Sequence, residues 1–81
     1  MDYLLGQIVL FPYSFVPYGW ARCQGQLIQV NQNQALYSLI GTKFGGDGYS
    51  TFALPNLEGA EPLPGMAYYI CLQGIYPQRQ Q

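Results

Sequence analysis

The 81-residue chain predicts a mainly β fold with one short helix, a small α+β class, in a single domain over residues 1–81. Two runs rich in β-branched and aromatic residues, "GQIVLFP" and "AYYICLQGIYP", read as strands. Between them one stretch, near Gln34 to Ile40, spaces its apolar residues as a helix does. Segments dense in glycine and proline, such as "NLEGAEPLPG", read as the loops that join these pieces.

Taken in order, "GQIVLFP" is a strand that Pro12 closes. "YSFVPYG" then reads as an ordered loop, with aromatics set between Pro12 and Pro17. "WARCQGQLIQV" places two short extended runs either side of Gln24-Gly25 and predicts a hairpin there, with Trp20 offering the largest apolar surface to the core. Asn31 or Asn33 is suited to cap a helix that starts near Gln34, since a short amide side chain accepts from the free N–H groups of a first turn. Ala35, Leu36, Leu39 and Ile40 fall on one face of that helix, and Gly41 is placed to end it. At about two turns it is too short to persist alone, so packing must hold it. "TFALP" is extended because Pro55 disfavours helical backbone at Leu54. In the last strand Tyr68, Ile70 and Leu72 alternate with Ala67, Tyr69 and Cys71, and neither side is hydrophilic. Such a strand is covered twice, by its own domain or by a neighbouring subunit. The expected core is Trp20, Cys23, Leu36, Leu39, Phe52 and Leu54, and the tail "QRQQ" is polar.

Only 9% of residues are charged, against roughly a quarter in an ordinary soluble domain, while 49% are hydrophobic. Ten glutamines and three asparagines supply polarity that a second subunit can cover without desolvating ions. The composition therefore points to a protein that associates with itself, its fold completed by oligomerisation. Tyr68, Tyr69, Ile70, Leu72 and Tyr76 are the expected interface. Arg22, Lys43 and Arg79 are too few to neutralise a phosphate backbone, which argues against nucleic acid as a partner. The N-terminus lacks the basic region of a signal peptide, and no run reaches the roughly 18 to 20 apolar residues of a membrane span. Neither an ordinary secretory signal nor membrane insertion is expected.

"FGGDGYS" raises the question of a ligand, because Gly45, Gly46 and Gly48 surround Asp47. A nucleotide phosphate loop runs from glycines to lysine to helix, whereas here the helix and Lys43 come before the glycines. Calcium needs six to eight oxygens, and no second acid lies near Asp47 in sequence. Gly45, Gly46, Asp47 and Gly48 are therefore expected to form a structural turn, with Asp47 bonded to its own backbone. No cofactor or metal is expected. With no histidine in the chain, the commonest general base is missing, and the spacing of Asp47, Glu58 and Glu61 does not pair them. Cys23 reads as a packed thiol rather than a nucleophile; with Cys71 it either forms one bridge or leaves two small buried hydrophobes. An enzyme is not expected. Eight tyrosines exceed what a small core needs, and those in loops, Tyr13, Tyr18 and Tyr49, stand as candidate carbohydrate contacts.

The stretch "GWARCQGQLIQVNQNQALYSLIGTKFGGDGYSTFALPNLEG" resembles the phage tail-collar domain family. The likeness rests on Gly19, Trp20, Cys23, Gly25, Leu27, Val30, Leu36, Tyr37 and Gly41, then on Gly45, Gly46, Asp47 and Gly48, and finally on Phe52, Leu54, Pro55, Asn56, Leu57 and Gly59. "GQIVLFPYSFVPYG" and "YYICLQGIYP" are similar to the flanks of small members. The resemblance implies a collar-type domain with a structural role in a tail fibre or fibre-like assembly, and a homo-oligomer, trimer or filament, as the working form. It implies a virion tail or an extracellular or cell-surface appendage as the location, with other tail or fibre proteins as further partners. Glu58, Ala60 and Glu61 stand where members often carry basic residues and a long insertion, so the expectation is the collar module alone.

Overall fold

The two strand-forming runs meet each other. β1 (Ile8–Phe11) and β5 (Ala67–Cys71) pair antiparallel, with Val9 opposite Tyr69, and β2 (Trp20–Arg22) pairs with the other edge of β5, Ala21 opposite Ile70. β5 is thus the central strand of a three-stranded sheet, which explains its near-continuous apolar sequence. A second, two-stranded sheet joins β3 (Leu27–Gln29) to β4 (Thr51–Ala53), with Gln29 opposite Thr51. The connection from β3 to β4 carries the one helix among the described residues, α1 (Gln34–Ile40). The fold is mostly β, two small sheets and a short helix, in a computed structural model that describes residues 3–13 and 15–77. Ser14 of the expected loop and the "QRQQ" tail lie outside the described residues.

Alternation along the strands gives the three-stranded sheet two different faces. On one, Ile70 joins Leu5, Cys23, Leu36, Phe52 and Leu54 in the buried core, with Ala21 and Tyr68 packed at its margin. On the other, Tyr69 is fully buried beneath an aromatic arm. Phe11 and Tyr13 stack at 5.2 Å, Tyr13 and Phe15 at 4.4 Å, and both Phe11 and Tyr13 lean on Tyr69. The Tyr69 hydroxyl donates to the Tyr13 carbonyl at 3.0 Å, so the one buried phenol of this face is satisfied. The chain therefore covers both faces of β5 itself. Tyr69 and Ile70, expected at an interface with another subunit, are interior residues of the single chain.

Three further expectations are corrected. The two runs around Gln24-Gly25 do not form a hairpin, because β2 and β3 belong to different sheets. Gly25, at φ +75°, donates instead to the Pro55 carbonyl, and Gln24 bridges Asn56, so the chain crosses from one sheet to the other. Asn33 stands at the N-cap of α1, yet its side chain makes no cap bond; its Nδ2 donates to the Gln29 carbonyl at 2.9 Å and ties β3 to the helix. Leu39, expected in the core, is 37% exposed, and Ala35 is exposed as well. The cause lies in Tyr37, whose ring packs 5.3 Å from Phe52 and whose hydroxyl reaches the Gly48 carbonyl. That contact rolls the buried stripe of the helix onto Leu36, Tyr37 and Ile40 and turns Ala35 and Leu39 outward. Gly41 ends the helix at φ +56°, its N–H bonded to the Tyr37 carbonyl at 2.7 Å.

Trp20 is half-buried rather than central. It lies on the edge strand β2, on the aromatic face, edge-on to Tyr3 at 5.0 Å and to Phe11 at 5.3 Å. Both cysteines are free and buried, so the packed-thiol alternative holds and there is no bridge. No helix among the described residues is long and apolar enough to cross a membrane.

Candidate functional site in the glycine loop and the exposed tyrosines

The segment between α1 and β4 has to reverse the chain within a few residues and press it against β4. Gly46, at φ +97°, lies where a Cβ would sit 2.4 Å from the Phe52 Cα and 2.7 Å from the Thr51 oxygen. Only glycine allows that approach, since these neighbours are backbone and Phe52 is fixed in the core. The Gly45 carbonyl accepts from Ala53 N–H at 3.0 Å, and Gly48 N–H donates to the Thr51 carbonyl at 3.0 Å. The loop is in effect stitched along β4.

Asp47 organises the rest. Its Oδ1 accepts from the backbone N–H groups of Tyr49 at 2.9 Å, Ser50 at 3.0 Å and Thr51 at 3.1 Å, and Oδ2 accepts from the Ser50 hydroxyl at 3.2 Å. Donation from Thr51 first, then from Tyr49 and Ser50, holds the Asp47 carboxyl well below the usual carboxylate range. The carboxylate is spent on the turn itself. Among the described residues no three His, Cys, Asp or Glu side chains gather where a metal could be held. Cys23 is buried beside the core, and desolvation pushes its thiol up to about 11, which keeps it protonated and inert at neutral pH.

The loop tyrosines separate into two kinds. Tyr13 is half-buried between Phe11 and Phe15 and serves the aromatic arm. Tyr18 and Tyr49 are 92% and 91% exposed, and each lines a different hollow. Tyr18 borders one of about 390 Å³ with Tyr3, Trp20 and Gln73; Tyr49 borders one of about 350 Å³ with Gln29, Asn31, Ser50 and Thr51. Of the residues expected at an interface, Tyr76 is half-exposed at the surface, while Tyr68 and Leu72 are partly covered by the core cluster. Gln29 and Thr51 do not stand out as site residues in the sequence, and Asn31 reads there only as a candidate helix cap, because their proximity to Tyr49 depends on the pairing of β3 with β4. The spacing of Gln29 and Asn31, two apart at the end of an extended run, was the available signal.

Comparison with known proteins is consistent with this architecture. The sequence model of the Phage Tail Collar Domain matches residues 6–62, more than half of the chain, from the start of β1 through the glycine loop and β4. Among curated proteins none matches the chain.

Proposed function

Because the chain belongs to the phage tail collar domain family, structural components of phage tails, we propose that it is a non-enzymatic building block that self-associates into a homo-oligomer, trimer or filament, of the tail-fibre kind. The observation that carries this reading is apolar surface left over after the chain has covered its own sheet. Leu4 and Ile75 are paired in a parallel bridge and about half exposed, and the neighbouring Tyr76 meets Ser38 of α1 through its hydroxyl at 2.8 Å. Leu39 stands out of the same helix. Leu4, Ile75 and Tyr76 thus form an apolar surface beside α1, to which Leu39 adds an exposed side chain on the same helix, and 9% charged residues leave little to solvate this region. A neighbouring copy that buries this region supplies the missing cover. If the contact is self-complementary or closes a ring, the product is a discrete oligomer; if it joins two different surfaces without closing, it propagates.

Placing a charge in this region tests the reading. Leu39→Glu and Ile75→Glu, both at exposed positions, should each lower the assembled mass in multi-angle light scattering while leaving the far-UV circular dichroism of the parent. An unchanged mass in both variants places assembly elsewhere on the surface. Negative-stain microscopy of the parent then distinguishes trimer from filament by shape.

A further inference from the structure

We propose that the hollow beside Tyr49 is a binding site for a neutral sugar ring, a hexopyranose or N-acetylhexosamine. The hollow lies where β3 ends and β4 begins, and its volume of about 350 Å³ falls in the usual range of small-ligand sites. Its chemistry has two halves. The Tyr49 ring, 91% exposed, offers a flat apolar face of the kind that the C–H side of a pyranose covers. Around it stand Gln29 and Asn31, whose amides donate and accept as sugar hydroxyls do, Thr51, whose hydroxyl does the same, and Ser50, whose hydroxyl donates to Asp47 and keeps its lone pairs to accept.

Rigidity is the second argument. Gln29 and Thr51 are cross-strand partners, and Val30 N–H donates to the Ser50 carbonyl at 3.0 Å, so both walls belong to one ladder. Asp47 grips the backbone of Tyr49, Ser50 and Thr51 with three bonds to a single oxygen, so an exposed ring stands on a fixed base. Preorganisation of that sort reduces the entropy lost when a ligand binds.

Charge decides the ligand class. Among the described residues no lysine, arginine or acid lines the hollow, and the nearby Asp47 carboxylate is turned into its own loop. A nucleotide would stack on the same ring, but its phosphates would find no cation here. An acidic sugar would meet no partner either. The amphipathic, uncharged pyranose is what the lining complements.

The test uses the full chain and beads carrying glucose, galactose or N-acetylglucosamine, with sialic acid beads and phosphocellulose as charged controls. Many sugars on one bead amplify a weak site, so the assay works for a monomer or an assembly. At least one neutral bead should retain the protein and release it to the free methyl glycoside. Tyr49→Ala should weaken retention about tenfold or more, whereas Tyr18→Ala, at the other hollow, should leave it unchanged. The proposal is overturned if no neutral bead retains the protein, if the charged controls retain it better, or if Tyr18→Ala rather than Tyr49→Ala removes retention. Light scattering on the same samples covers the competing occupant: a Tyr49→Ala variant with reduced assembly mass would mean that a second copy, not a sugar, fills the hollow.

Discussion

Replacing Gly46 with alanine should be among the most damaging single-methyl changes available in this chain. The added Cβ would lie 2.4 Å from the Phe52 Cα, 2.7 Å from the Thr51 oxygen and 3.0 Å from the Phe52 nitrogen. No rotamer relieves this, because the neighbours are backbone of β4 and the Phe52 ring behind them is buried. Two effects combine. Holding a non-glycine residue at φ +97° costs about 1–3 kcal/mol, and the shift of β4 needed to admit the methyl costs about 1–3 kcal/mol more. The total, about 2–6 kcal/mol, compares with a whole-domain stability of about 4–12 kcal/mol at this length. A fall in melting temperature of about 10 °C or more follows, or outright failure to fold. Gly59→Ala is the internal control. Its φ is +87° with nothing within 4 Å of the added methyl, so it carries the backbone penalty without the collision. Differential scanning calorimetry of both variants at one protein concentration isolates the collision, since assembly makes melting depend on concentration. If Gly46→Ala melts within about 2 °C of Gly59→Ala, the loop does not press on β4 as described.

Three other outcomes are expected. The Asp47 carboxyl is held low in the folded state, so its contribution is complete above the unfolded value of about 3.9 and is lost as pH falls toward the folded one. The melting temperature of the parent should therefore drop on acidification below about pH 4, and Asp47→Asn should start lower at neutral pH and drop less. Both cysteines are free and buried, so a thiol reagent should label neither in the folded protein and both in denaturant; labelling of none in denaturant would reveal a bridge. Tyr69→Phe removes the donor to the Tyr13 carbonyl and should cost about 1 kcal/mol in chemical denaturation, while an unchanged midpoint would detach the aromatic arm from β5.

Local chemistry was legible in the sequence where one residue type has one physical use. The β-branched run of β1, the glycine that ends α1 and the turn-forming Asp47 could each be read from neighbours alone. Pairing was harder, because Gln24-Gly25 carries a turn signal whichever sheets the flanking strands join, and only the bond from Gly25 to Pro55 decides. The helix face slipped for a similar reason: Leu36 and Ile40 were visible by spacing, but Tyr37 turned inward to meet Phe52 and Gly48, which are distant in sequence. The absence of a hydrophilic face on β5 signals double cover but leaves open whether the chain itself or a neighbouring subunit supplies it. What the spacing does not reveal is that Phe11, Tyr13 and Phe15 form an aromatic arm that provides one of the two covers. Tyr49 was visible as a loop tyrosine, but the amides and hydroxyls around it converge only through the β3–β4 ladder.

The measurement that bears most directly on the building-block reading is the light-scattering mass of the parent at 0.1 M and 1 M salt. The account predicts a mass that is a multiple of the 9.1 kDa chain and that persists at high salt, because apolar and amide contacts are not weakened by ionic screening. A mass of one chain at micromolar concentration would contradict self-association, and dissociation on adding salt would contradict the apolar contact proposed for it.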